Sequence, residues 1–252
     1  MDQLVQSINN RASHKGWVMT QTWEHLLFAH WEIPPALIRP LVPDTLEIDT
    51  FEGSGWISII PFRMTGVRLR CLPPIPYTTS FPEINVRTYV KAAGRSGIYF
   101  LSLDASNALI TTIAKKWYRL PYHQASMDFR LNRGSIEIQS RREGSDSRAE
   151  RFSAIYRPDS SVFLAKLGTL EYWLTERYTL FCECMKSKRL HVANVYHEPW
   201  QLQNASVQIE YNSLSQKHIP LSERPHLALY ARGVQSIIWP IQKIQAESGS
   251  GW

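Results

Sequence analysis

Glu83-Ile84-Asn85-Val86-Arg87-Thr88-Tyr89-Val90-Lys91-Ala92 is the stretch on which the fold turns. Side chains alternate across a strand, so Ile84, Val86, Thr88 and Val90 share one face and Glu83, Asn85, Arg87 and Tyr89 the other. The first face needs a core to pack against. The second has two readings. It faces solvent, the usual case for an antiparallel strand and the one the pattern alone favours. Or it lines a wet cavity inside a barrel, where acid, amide, guanidinium and phenol form a recognition set.

Outward from this strand the chain reads as more strands. Gly94-Arg95-Ser96-Gly97 turns it into a partner at 98–103. Residues 46–51 alternate, turn through Glu52-Gly53-Ser54-Gly55 and return at 56–60, which predicts a hairpin. Further strands are predicted in 17–31, 122–131, 135–139, 151–157, 178–185, 190–197, 205–211 and 227–234. Short helices are predicted over 34–39 with prolines in the first turn, over 106–117 with Ser106 or Asn107 as cap, and over 169–174. The proline-dense loop 70–82 cannot enter a sheet interior. Many strands, few short helices and no internal repeat predict a mainly β fold, a closed or nearly closed antiparallel β-barrel. One domain is expected over 17–240, with an N-terminal arm at 1–16 and a Ser/Gly-rich disordered tail at 241–252.

The 252 residues carry 44% hydrophobic and 20% charged side chains, enough to bury a core without disulfides. A net charge of +6 permits an anionic partner without requiring one. The arginines at 130, 133, 141, 142, 148, 151 and 157 are interleaved with acids, as on a charge-protected edge, and no nucleic-acid-binding signature accompanies them. Cys71, Cys182 and Cys184 form an odd set without Cys-x-x-Cys spacing, which predicts reduced thiols used for packing. No apolar run reaches the roughly 18 residues that cross a bilayer, and no leader is legible. These features predict a soluble cytoplasmic protein with no membrane partner; a homo-oligomer is compatible with them.

No phosphate loop, dinucleotide fingerprint, Gly-x-Ser-x-Gly elbow or His-Glu-x-x-His is present, and the histidines are scattered. No metal and no cofactor is expected. Lys115-Lys116 is the pair that invites a catalytic reading, because a lysine beside a second cation has a depressed pKa and can form Schiff bases. Helical periodicity argues otherwise: Leu109, Ile113 and Trp117 lie on one side, with Lys115 roughly opposite and Lys116 on the flank. A solvated helix end is the better reading.

Several blocks, taken in order, resemble the uncharacterised YqjF-like family. They are Phe28-Ala29-His30-Trp31, Leu41-Val42-Pro43, Phe51-Glu52-Gly53, Ile60-Pro61-Phe62-Arg63-Met64, the run from Phe81 to Val90, Leu120-Pro121-Tyr122-His123-Gln124-Ala125, Leu174-Thr175-Glu176-Arg177-Tyr178 and His197-Glu198-Pro199-Trp200. That family is related to acetoacetate decarboxylase, so the resemblance implies the decarboxylase fold, a cone-like barrel around a cavity. It also raises the cavity reading of the Glu83 face above the solvent reading.

In the decarboxylase the Schiff-base lysine lies in an aromatic-Pro-Lys-Lys step. The resemblance sets Leu120-Pro121-Tyr122-His123 against that step, with Tyr122 at the nucleophile and His123 at the pKa-lowering lysine. A phenol cannot form an imine, so the decarboxylase mechanism is not carried over. Tyr122 and His123 point to opposite faces of a strand, and the sequence does not say which is inside. Catalytic candidates are therefore Tyr122, His123 and Glu83; ligand-binding candidates are Glu83, Asn85, Arg87, Tyr122 and His123. The expected function is binding of a small polar molecule bearing a carbonyl or carboxylate. The alternative is an enzyme using Glu83 with Tyr122 or His123 as acid–base groups.

Overall fold

The computed structural model describes residues 16–72, 80–109, 111–112, 120–143, 150–183, 189–215 and 219–244. The Lys115-Lys116 pair, Cys184 and most of both termini lie outside them.

The strands are β1 (Met19–Ile33), β2 (Glu47–Ile48), β3 (Gly55–Leu69), β4 (Ser80–Ala92), β5 (Arg95–Ala105), β6 (Tyr122–Asn132), β7 (Ser135–Arg142), β8 (Arg151–Pro158), β9 (Phe163–Leu164), β10 (Thr179–Glu183), β11 (Leu190–His197), β12 (Gln201–Asn212), β13 (Leu227–Ile238) and β14 (Gln242–Lys243). The helices are α1 (Pro35–Ile38), continued by a 3₁₀ turn at Arg39–Leu41, and α2 (Leu170–Thr175). Pro35 opens α1, where a missing N–H costs nothing. Thr169 caps α2 by accepting from the Tyr172 backbone N–H.

Strand pairing closes on itself. From β1 it passes through β3, β4, β5, β6, β7, β8, β12 and β13 back to β1. A shorter circuit leaves β5 for β10 and β11 and rejoins at β13. The wall β13-β1-β3-β4-β5 belongs to both circuits and is buried on two faces. One face packs Leu27, Ala29, Ile57, Ile59, Ile84 and Val86 with Ile136, Ile138, Phe152, Ala154 and Tyr156 of β7 and β8. The other carries Leu26, Phe28, Ile60, Phe62 and Met64. Two pairings, β5 with β6 and β5 with β10, are parallel rather than antiparallel. Parallel neighbours need a long crossover, and residues 106–121 supply the one between β5 and β6.

Bulges bend this wall. In β1 the register slips between Glu24 and Ala29, with His25 at φ 54°. In β3 Gly66 at φ 59° shifts the inward set from 60, 62 and 64 to 67; a glycine takes that backbone without penalty. In β5 the slip lies opposite Val86/Arg87. β4 keeps its phase, so Glu83, Asn85 and Arg87 stay in line.

Two expectations are corrected. The turn at Glu52-Gly53 forms, closed by a Phe51–Ser54 bridge, but residues 46–51 do not pair with 56–60. Both edges of β3 are taken by β1 and β4, so β2 pairs instead with Val90 and Lys91 of β4. Nor does pairing stop at 240, since β14 extends the sheet along β11. Cys182 is buried as expected for a packing residue, whereas Cys71 is exposed. No helix among the described residues is long and apolar enough to cross a membrane.

Candidate functional site

The shorter circuit encloses a pocket of about 320 Å³. β4 supplies Glu83, Asn85 and Arg87 from its in-phase face, and β6 supplies Tyr122 from its first residue. Facing groups are Gln21 of β1, Arg177 after α2, His197 of β11 and Trp200. Phe28, Ile60, Phe62, Met64, Phe100 and Leu103 form much of the remaining wall. No lysine is among the described lining residues.

Glu83 is the most perturbed acid here. It is 2% exposed, and burial pushes its carboxyl up to about 8, with the nearby Asp104 adding to the shift. The Tyr122 hydroxyl donates to Glu83 Oε2 at 3.2 Å and opposes the shift. The phenol itself is pushed well above its ordinary value by burial and by the adjoining carboxyl. At neutral pH the pair is therefore an uncharged acid beside an uncharged phenol. Behind it, Arg142 clasps Asp104, with Nε at 2.8 and 3.0 Å from the two carboxylate oxygens, and also pairs with Glu150. Burial still pushes Asp104 up to about 6.

The two pocket arginines differ. Arg177 is neutralised: Nη1 meets Asp49 Oδ2 at 2.6 Å, Nε donates to the Trp173 carbonyl at 2.6 Å, and the guanidinium lies 4.3 Å from the Trp173 ring centroid. Lys91 adds a second cation on Asp49. Arg87 is 8% exposed and pairs with no carboxylate among the described residues. Its Nη2 donates to the Leu174 carbonyl at 3.0 Å, while Nε has no partner among the described residues. Asn85 Oδ1, on the same face, also lacks one.

His197 rests among Tyr178, Trp200 and Trp23, with ring centroids 4.8, 4.6 and 5.9 Å away. Its Nδ1 contacts the Glu198 carbonyl at 2.8 Å. A carbonyl only accepts, so Nδ1 carries the proton and Nε2 the lone pair. Burial lowers its pKa, which keeps the ring neutral at pH 7. Below the pocket, His30 Nδ1, Ser58 Oγ and Tyr89 Oη link at 2.6 and 2.7 Å in a buried chain.

The structure thus brings together Glu83, Asn85, Arg87 and Tyr122 and leaves His123 out. His123 is exposed, and it is corrected as a pocket residue. The reason is the strand's alternation: Tyr122 turns into the pocket, so its neighbour turns away. Farther along β6, on the His123 side, Ala125 is buried and Met127 and Phe129 pack against the other core. Arg177, His197 and Trp200 were not singled out by motif. Their only signal was position within blocks that resemble the family, since no spacing rule links a loop arginine to a histidine twenty residues on.

Known proteins fit this architecture. Residues 20–235 match the family model DUF2071, an uncharacterized conserved protein. The chain is 42% identical over 228 residues to the uncharacterized protein YqjF of Bacillus subtilis, covering 90% of this chain and 93% of that one. Among solved structures, the enduracididine biosynthesis enzyme MppR complexed with pyruvate superimposes with a TM-score of 0.64 at 12% identity, over 94% of both chains. Acetoacetate decarboxylase from Legionella pneumophila does so with 0.59 at 11% identity, over 94% of this chain and 92% of that one. At such identities the likeness concerns the fold, which is acetoacetate decarboxylase-like. The match over most of the chain and the Bacillus subtilis relative together settle kinship: the protein belongs to the DUF2071 family.

Proposed function

We propose that the pocket binds a small organic acid, with its carboxylate on Arg87 and a neighbouring carbonyl or hydroxyl near Glu83 and Tyr122, without Schiff-base chemistry. The observation that carries this reading is Arg87, a buried guanidinium in a pocket with no counter-charge among the described residues. Burying a charge without a partner costs several kcal/mol, roughly what a bound anion relieves. Arg177 marks the contrast, for Asp49 already satisfies it. Glu83, neutral below about pH 8, offers a carboxylic O–H to a ligand carbonyl, and Asn85 Oδ1, without a partner among the described residues, offers an acceptor. The fold neighbour MppR, complexed with pyruvate, supports the ligand class by analogy of fold only.

Calorimetric titration with pyruvate, acetoacetate and butanoate at pH 7 tests this. Arg87→Gln is expected to weaken the best binder by about 10- to 100-fold, the worth of a charge-assisted hydrogen bond. Unchanged affinity would sink the reading. Borohydride reduction in the presence of acetoacetate is expected to leave no lysine adduct; an adduct would overturn the exclusion of imine chemistry.

A second reading, proton transfer at the carbon beside a ligand carbonyl, is favoured by one observation. Glu83 titrates at about 8, close to a working pH, and touches a phenol. Deuterium entering the α-carbon of a bound 2-oxo acid, and lost in Glu83→Gln, would support it; no exchange would remove it.

A further inference from the structure

The acid and the guanidinium groups of the pocket lie toward one end; the far end is mostly apolar, with Gln21 and the neutral His197 beside it. Strand register gives the order of its lining. Arg87 lies opposite Ser58, Asn85 opposite Ile60 and Glu83 opposite Phe62. Met64 then pairs with Trp23, and Leu69 with Met19, which pairs in turn with Ile238. From Ile60 to Leu69 the lining follows roughly 30 Å of strand at about 3.3 Å per residue, shortened along the axis by strand tilt. The charged groups cluster at the Arg87 end. The opposite end is Val18, Met19, Val67, Leu69, Pro240 and Ile241, all apolar. Pro240 there is exposed, whereas Glu83 and Arg87 are buried.

A three-carbon keto acid would occupy only the Arg87 end. The volume of about 320 Å³ would hold about ten waters at roughly 30 Å³ each. With a short ligand, much of the wall formed by Trp23, Phe62, Met64 and Val67 would stay hydrated. Apolar surface of that extent lowers the free energy of binding only if the ligand covers it.

We propose that the ligand is an amphipathic carboxylic acid, its carboxylate held at Arg87 and an apolar chain or ring of about six to ten carbons lying along Phe62, Met64 and Val67 toward Met19 and Leu69. This class rests on the reading of Arg87 as the anion-binding group given above. It adds a preference for length that the anion site alone does not require.

Calorimetric titration of the whole protein with butanoate, hexanoate, octanoate and decanoate at pH 7 tests it, with octan-1-ol as the uncharged control. Affinity is expected to rise about three- to fourfold per methylene up to octanoate and then level off as the pocket fills. Octan-1-ol is expected to bind at least tenfold more weakly than octanoate. Met19→Trp, which narrows the apolar end at a half-buried position, is expected to weaken octanoate at least tenfold and leave butanoate unchanged. Affinity that is flat or falling with chain length overturns the proposal while leaving the anion site standing. Octan-1-ol binding as tightly as octanoate overturns the carboxylate. Binding by none of the acids removes the anion site as well. The wild-type series decides the matter even if Met19→Trp fails to fold.

Discussion

The two faces of the wall shared by β13, β1, β3, β4 and β5 make an instructive contrast. On one, Ile84 and Val86 meet the β7–β8 hairpin side chains and the space is filled. On the other, one residue out of step, Glu83, Asn85 and Arg87 meet a pocket. The same backbone serves both because alternation sends successive side chains in opposite directions. The filled face pays for ordering the strands through apolar burial. The pocket face gives up some of that stability to Glu83, kept from ionising, and to Arg87, which has no counter-ion among the described residues. A binding site of this kind is a local departure from best packing, tolerated because the reverse side of each strand is dry.

The contrast can be tested from the filled side first. Phe152 is 1% exposed in the dry cluster. Phe152→Ala is expected to destabilise by about 4 kcal/mol in urea unfolding, with ligand affinity of the folded protein unchanged. A loss under about 1 kcal/mol would show that this face is not the stabilising one.

The next effect belongs to Glu83 and depends on pH. Its pKa is raised in the folded protein, so the contribution is fullest below the unfolded value of 4.5 and is lost as pH rises toward about 8. Between pH 4 and pH 7 this one group is expected to remove about 3 kcal/mol of stability. Glu83→Gln, which cannot ionise, should lack that slope and be the more stable protein at pH 7. Equal pH slopes for the two proteins would contradict the assignment.

The smallest effect separates neighbours on β6. Tyr122→Phe removes the hydrogen bond to Glu83 and should cost about 1 kcal/mol. It should also raise the Glu83 pKa further, because that bond favours the carboxylate. His123→Ala is expected to leave the ligand affinity unchanged, since the side chain is outside the pocket. Loss of ligand affinity in His123→Ala would mean that β6 is rotated by one residue relative to the pocket.

Much of this was legible where strands keep their phase. β4 is regular from Glu83 to Ala92, and its two faces are those that strict alternation assigns. The strands on either side of Arg133–Gly134, the helix over 169–174 and the two strands that pair as β10 and β11 were equally readable from local chemistry. Alternation fails wherever a bulge intervenes, and the bulges at His25, Gly66 and the middle of β5 each shift the inward set by one. The false hairpin at 46–60 shows a related limit. Its turn is local and forms, but partner choice depends on which strand edges are already occupied.

By itself, then, the sequence determined most of the longer strands, their local turns, the polar face of β4 and the absence of an imine-forming side chain at Tyr122. These are set by residue chemistry and by periods of two, which need no distant information. Only the tertiary structure decided that this face encloses a pocket, that Tyr122 and not His123 enters it, and that Arg177 finds Asp49 while Arg87 finds no acid among the described residues. Those outcomes depend on closure of the sheet, which brings together residues as far apart in the chain as Met19 and Ile238, and sets Arg177 against Asp49 across 128 positions. Burial and pairing, the quantities that set charge and proton affinity, do not exist until that closure has happened.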